Sequence, residues 1–251
     1  MATRENRQAW EDWGRVDPFW AILTKPDARG GKWDLDAFFE SGQQTIDRIW
    51  QQAHELGVPA RHESGLDFGC GVGRLSRALA THVENVVGLD IAETMIAEAR
   101  VLNRAVRACE FRVQRADDLS DFPDDSFDVV LTLLVLQHIP SVPTIENYLA
   151  EFVRVLAPQG LLVFQLPTSV PAKPPTAMRS RLRPIAVLLR RLGVSPHLLY
   201  RLGWSPAMPM TAISAERTLA VLAEAGGKVL TSYQTASHGG GIESRDYYVT
   251  C

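Results

Sequence analysis

The stretch LDFGCGVGRLSRALA, residues 66–80, constrains this chain more than any other. Gly69, Gly71 and Gly73 alternate between an apolar, strand-like lead-in and a helix-like run. A strand, a glycine turn and a helix start, in that order, build a nucleotide site at the carboxyl end of a parallel sheet. Missing side chains let a ligand approach the backbone, while free N–H groups and the helix dipole favour an anionic ligand group. The spacing here is G-x-G-x-G rather than the dinucleotide pattern G-x-G-x-x-G. Arg74 stands where that pattern wants its third glycine.

The surroundings of the turn alternate strand and helix. SGLDFG reads as a strand and GRLSRALA as the start of a helix. NVVGLD, EFRVQR, the continuous apolar run FDVVLTLLVL and GLLVFQLP read as further strands, with AETMIAEARVLNRA and IENYLAEFVRVLAP as intervening helices. Such alternation gives a parallel sheet with helices on both faces, and an unbroken apolar run suits a central strand. Pro158 and Gly160 are expected to end the last of these helices. Residues 1–62 read as a helical arm, in which FFESGQQTIDRIWQQAHEL places Ile46, Ile49 and Ala53 at helical spacing. Five of the six tryptophans lie there: Trp10, Trp13, Trp20, Trp33 and Trp50. They either anchor the arm to the main domain or, for one or two of them, line a pocket.

The alternation breaks over residues 168–210, a proline-rich stretch without an acidic residue. Within it RPIAVLLRRLG sets Ile185, Leu188, Leu189 and Leu192 on one helical face. SAERTLAVLAEAGG resumes as a helix with Ser214 as N-cap, and KVLTSYQTA and RDYYVT close the α/β pattern as strands around HGGG. The organisation expected is an arm and lid (1–62), a core (63–167), a basic lid insertion (168–210) and the C-terminal part of the sheet (211–251).

Acidic residues follow the glycines at informative places. Asp90 ends VVGLD, 17 residues past Gly73, where a carboxylate can accept from both hydroxyls of a ribose. The alternative is a cap on the following helix. Asp117 or Asp118, in RADDLSDF, could meet an adenine amino group or simply be solvated.

Taken together, LDFGCGVGRL, VVGLD, DLSDFPDDSFDVVLTLLVLQHIP and FVRVLAPQGLLVF resemble the successive motifs of class I S-adenosylmethionine-dependent methyltransferases of small-molecule type, over roughly residues 64–167. The resemblance implies a Rossmann-like, doubly wound, seven-stranded and mostly parallel sheet with an antiparallel hairpin at one edge. It implies S-adenosyl-L-methionine as cofactor. It maps the first motif onto Asp67, Gly69, Gly71 and Gly73, the ribose acid onto Asp90 and an adenine-packing side chain onto Met95. It also brings Cys70, Ile91 and Leu133 into the cofactor's neighbourhood. Two departures stand out: Arg115 precedes the loop alanine where many relatives are acidic, and Pro158-Gln159-Gly160 replaces a Pro-Gly-Gly turn.

Methyl transfer to an alcohol needs orientation and removal of a proton, and an imidazole near neutrality suits the second task. His138, in LQHIP, follows the fourth strand and is expected to face the site as that base, or else to order its loop. His54, His62 and His82 fall on or beside helices away from the strand ends; His197 falls in the lid and His238 in the last turn. Residues 152–215 carry eight cationic side chains and no acid, which leaves -11 on the rest of a chain whose net charge is -3. An anionic acceptor gripped by arginine, a membrane-surface helix around 177–203 and a solvated helix face all account for that contrast.

The overall charge argues against whole-protein attraction to nucleic acid. Aromatic and basic residues are not interleaved as in nucleic-acid modules, so an RNA acceptor is disfavoured. Three cysteines without metal-ligand spacing, and no apolar leader-like run or span-length segment, fit a cytoplasmic enzyme with no metal site. The expected activity is methylation of a small-molecule hydroxyl, on an anionic, sugar-like or natural-product acceptor. An N- or carboxyl-methyltransferase, a nicotinamide-dependent oxidoreductase and a non-catalytic cofactor-binding protein are the competing readings.

Overall fold

In the computed structural model, residues 4–171, 188–190, 192–206, 208–235 and 241–251 are described. The strands β1 (Ser64–Phe68), β2 (Asn85–Asp90), β3 (Cys109–Val113), β4 (Phe127–Thr132), β5 (Leu156–Ser169), β6 (Lys228–Thr235) and β7 (Glu243–Thr250) form one sheet, ordered β3-β2-β1-β4-β5-β7-β6. The first five pair in parallel. β7 runs antiparallel to β5 and to β6, so the hairpin β6–β7 completes one edge with β7 on its inner side. Chain order reverses between β1 and β4, and ligands of such sheets bind outside the carboxyl ends of the strands at that switch point.

Two layers of helix cover the sheet. α3 (Leu35–Leu56) and α4 (Arg74–Leu79) lie on one face, where Ile46, Ile49 and Leu79 pack against Val129, Leu131 and Val163. α6 (Val142–Val155) and α8 (Ala215–Glu224) cover the other, where Phe152, Leu149 and Leu222 pack on Phe68, Val130 and Phe164. Val130 of β4 serves one core and Val129 and Leu131 the other, which is why the strand is buried at every position, Asp128 and Thr132 included. The Asp34 side chain caps α3 by accepting from the Ala37 N–H, and Ser214 caps α8 from the Arg217 N–H, at the residue its sequence marks.

The fourth strand ends sooner than its apolar run suggests. β4 stops at Thr132, and Leu134 takes a positive φ of 63° that turns the chain into a short 3₁₀ segment, Leu136–His138. α6 likewise stops at Val155, three residues before Pro158, because Leu156 already pairs with Phe127 of β4. The expected helix around 183–193 lies largely outside the described residues, as do His238 and most of the HGGG turn.

The arm folds back over the carboxyl ends of the strands. It comprises α1 (Arg4–Val16), α2 (Pro18–Ile22) and the start of α3. Trp13 is 1% exposed, among Phe38, Trp20 and Tyr200 of α7 (Pro196–Arg201), so it anchors the arm as one of the two sequence readings holds. The Arg190 guanidinium donates to both oxygens of Asp12, at 3.0 and 2.6 Å, and the Tyr200 hydroxyl donates to Asp17 at 2.7 Å. The arm and residues 188–190 and 192–205 thereby form one cap.

α1 is fastened to the sheet by its polar face. Arg7 donates to the carbonyls of Ile91, at 2.7 Å, and Gln114, at 3.1 Å. The helix α5 (Glu93–Leu102) begins at Ala92, which has no side chain able to cap it. Glu11 of α1 does so instead, accepting from the N–H groups of Glu93 and Thr94 at 2.6 and 3.3 Å. A Cβ at Gly14 would run into the Thr94 side chain, so the two helices touch where α1 has no side chain.

Candidate functional site

A cavity lies under the cap, at the carboxyl ends of β1, β2 and β4. Gly69 and Gly71 form part of its wall, with Asp90 and Ile91 after β2, Met95 on α5, and Leu133 to Val135 after β4. His138 and Ile139 close one side, and Asn6, Trp10 and Ile22 close it from the arm. Its volume is about 90 Å³, against roughly 300–1,000 Å³ for typical small-molecule pockets. Two side chains account for this: Ile22 lies against Gly71, and Val135 against Gly69, in the places Cβ atoms would occupy. A more open groove beside Arg100, Arg104 and Arg107 lies at the amino end of β3, away from these groups.

All three loop glycines have left-handed φ, at 77°, 55° and 84° for Gly69, Gly71 and Gly73. The loop differs from its sequence reading in one respect. Its N–H groups are not free donors: those of Gly69 and Cys70 both donate to the Leu89 carbonyl, that of Gly73 to Cys70, and that of Gly71 to Asp90 at 3.0 Å. Buried backbone donors find partners within the fold, so the glycines contribute bare surface.

Asp90 turns both oxygens inward, accepting from Gly71 and, at 2.9 Å, from Ala92. Burial pushes its carboxyl up to about 6, with those two backbone bonds opposing the shift and the charge of Glu11 adding to it. Asp67 does not reach the cavity wall; it is 2% exposed and accepts from the Ser76 hydroxyl at 2.6 Å. Burial raises its carboxyl to about 6 as well, against the Ser76 bond and the Arg74 charge. Cys70 is buried behind the loop, and its thiol is pushed up by burial, then by the charges of Asp90 and Asp67. Gly73 meets Asn103 and Phe111 rather than the cavity.

The third-strand loop places its acids elsewhere too. The Asp118 carboxylate accepts from the Ser120 N–H and hydroxyl, and its carboxyl is held low by those bonds. Asp117 is likewise absent from the wall, where Gln114 stands instead. Gln114 donates from its side chain to the carbonyls of Ala116, at 3.0 Å, and Asp118, at 2.5 Å. Tyr148 and Thr144 of α6 also face the cavity. Sequence reasoning missed all three, and Tyr148 carried no local signal beyond its helical spacing.

His138 stands on the wall with its ring against Trp10, centroids 5.2 Å apart, so one tryptophan of the arm does line the pocket. Its Nδ1 lies 2.8 Å from the Pro209 carbonyl, which only accepts, so Nδ1 carries the proton. The lone pair is therefore on Nε2, where it accepts from the Gln137 amide at 3.1 Å. Burial holds the imidazole below its usual range, with the Pro209 bond partly opposing this. The result is a neutral base of fixed tautomer, in a cavity otherwise lined mainly by apolar groups. Among the described residues no arginine or lysine lines it, and no group of three or more His, Cys, Asp or Glu is placed to hold a metal. His62 and His82 instead pack on Trp50, at the amino ends of β1 and β2.

Residues 66–164 match the family model described as a methyltransferase domain. The demethylmenaquinone methyltransferase of Tropheryma whipplei (strain Twist) is 35% identical over 119 residues, 47% of this chain and 47% of its own. The ubiquinone biosynthesis O-methyltransferase of Idiomarina loihiensis is 34% identical over 116 residues, 43% of this chain and 46% of its own. The matched region thus spans about half the length of these relatives. In fold, the chain is similar to the N-methyltransferase NodS of Bradyrhizobium japonicum WM9, with a TM-score of 0.60, 16% identity and 98% of each chain covered.

Proposed function

We propose, from the premise that residues 66–164 carry a methyltransferase domain, that this chain moves a methyl group from S-adenosylmethionine to a hydroxyl of a small, largely apolar acceptor. One observation carries the reading: a neutral imidazole of fixed tautomer shares a cavity wall with a carboxylate and bare glycine backbone. The residues fit the cofactor. A Cβ at Gly69 or Gly71 would fill the cradle, and Asp90 is positioned to accept from ribose hydroxyls once it turns from Gly71 and Ala92. When bound, the cofactor supplies a methyl group activated on sulfonium. The chain's own contribution is orientation and proton removal.

In this reading Ile91, Met95 and Leu133 pack along the adenosine, and Gly69 and Gly71 leave room for the amino-acid end. Asp67, Cys70 and Gly73 hold the loop in shape from behind. Asp117 and Asp118 contact the adenine only after their loop rearranges, and Gln114 is the nearer candidate. His138 Nε2 takes the hydroxyl proton as the acceptor oxygen takes the methyl group, once the Gln137 amide yields its place.

An apolar acceptor is favoured over the anionic one expected from the basic segment. Arg190 is engaged with Asp12, and Arg154 with Glu151 and Asp124. The relatives named for ubiquinone biosynthesis and demethylmenaquinone are in keeping with a small-molecule acceptor. The test is incubation of purified protein with methyl-labelled cofactor and metabolite extracts, reading labelled products by mass. Cofactor binding by calorimetry without any labelled product would leave a binding protein; binding of a nicotinamide cofactor instead would sink the reading.

The arm acts, in this proposal, as a cover that must shift to admit the cofactor, since Ile22 stands in the cradle; most of residues 168–187, expected to share this role, lie outside the described residues. Glu11→Ala removes the borrowed cap of α5, a loss of about 0.5–2 kcal/mol for a capping side chain. The expected result is faster amide exchange in α1 and at Glu93 and Thr94, with the sheet unchanged. Added cofactor should slow exchange in α1 of the wild type; protection confined to residues 63–140 would refute the cover.

A further inference from the structure

The cap carries an outer face that its packing leaves uncovered. Leu188, Leu192, Leu198 and Leu202 are 57%, 72%, 50% and 74% exposed. The Leu192 N–H donates to the Leu188 carbonyl and that of Leu202 to Leu198, so each pair is spaced by one helical turn. Gly193, with φ of 88°, turns the chain between the two pairs. Beneath them Leu199 is 3% exposed and Tyr200 packs on Trp13, which fixes this segment to the arm. Four exposed large aliphatic side chains thus fall within fifteen residues, in two helically spaced pairs.

We propose that this face docks onto an anionic lipid bilayer. Charge selects that occupant. From Phe152 to Ala215 the sequence has eight cationic residues and no acid, while the remainder of the chain carries -11; Arg154 and Arg190 are paired with acids of that remainder, which leaves six for an outside surface. Arg201 is exposed beside Leu198 and Leu202. Lys173, Arg179, Arg181, Arg183 and Arg191 lie outside the described residues and enter only as charge. A second copy would bring two cationic segments together, whereas an anionic surface attracts this segment and repels the rest, so the molecule is oriented as well as held. Leucines with interspersed arginines match the composition of interfacial segments. Among the described residues no helix is long and apolar enough to cross a membrane, so the contact is peripheral. Docking does not depend on the methyl-transfer reading. Its use does: the same cap supplies Trp10 and Ile22 to the apolar cavity, so an acceptor dissolved in lipid would enter from the bound side.

The experiment is sedimentation of the full chain with vesicles of phosphatidylcholine and of phosphatidylcholine mixed with phosphatidylglycerol. The wild type should partition onto the mixed vesicles, weakly or not at all onto the neutral ones, and less as salt rises. Leu192→Asp combined with Leu202→Asp should lower partitioning at least about tenfold, each leucine losing its apolar transfer and adding a repelled charge. Both positions are exposed, so a retained melting temperature and cofactor affinity should accompany the loss. No binding to mixed vesicles, equal binding of the variant, or a wild-type dimer that the double variant dissociates would each overturn the proposal.

Discussion

Replacing His138 with alanine is expected to lower kcat by roughly 10²–10⁴-fold, the usual contribution of a general base, while cofactor affinity changes little. The imidazole is held neutral by burial and presents its lone pair on Nε2 because Nδ1 donates to Pro209. His138→Gln should fail to rescue the rate, since an amide cannot take the proton. The sign of the pH effect follows from the depressed affinity for a proton. The protonated form is inactive, and protonation requires more acid than an ordinary imidazole needs. In kcat/KM the acid limb should therefore fall below the ordinary histidine value of about 6.5, with a flat rate above it. Steady-state kinetics with an O-methylated product decide the matter. Near-normal turnover in folded His138→Ala would leave the residue a support for Trp10 and the Pro209 carbonyl. An amine acceptor could mimic the pH curve but would not respond to the mutation.

Asp90→Ala is expected to weaken cofactor binding about ten- to a hundredfold, the range for one or two charge-assisted hydrogen bonds. A carboxyl pushed up to about 6 in the free protein adds a dependence that a solvated acid would not have. Donors on a ribose favour the ionised form, so the complex holds fewer protons than the free protein. Affinity should then rise as pH climbs through about 6 and level off above it. Asp90→Asn should flatten that rise, which calorimetry at several pH values can read. A slope surviving in Asp90→Asn would move its origin to Asp67, whose carboxyl sits in the same range behind the loop.

Much of the fold was legible because strand and helix periods are local. The glycine loop, Asp90 and the positions of β1 to β5 follow from runs of a few residues. Two boundaries were not legible, for a shared reason: the apolar run after Thr132 and the end of α6 look regular until tertiary pairing intervenes. The wall of the cavity was legible only on its sheet side. Asn6 and Ile22 reach it because Arg7 and Glu11 tie α1 across the strand ends, and no periodicity announces contacts 84 and 82 residues apart in sequence. Trp10 was foreseen only as one possibility among five tryptophans. The loop amides were misjudged because the sequence cannot display that the Leu89 carbonyl takes two of them.

The placement of β7 has a consequence for how the molecule comes into being. Leu162 and Phe164 of β5 find their outer partners only in Val249 and Tyr247. At roughly 5–20 residues per second, synthesis of the intervening segment takes on the order of 4–16 s. Throughout that interval a largely apolar strand, buried without a break from Gly160 to Pro167 in the finished sheet, has one open side. Long-range pairings of this kind form late, and unpaired strand edges recruit other chains. The nascent protein therefore passes through a stage in which its middle is complete but sticky, and its yield depends on what shields β5 until the final hairpin slides into place.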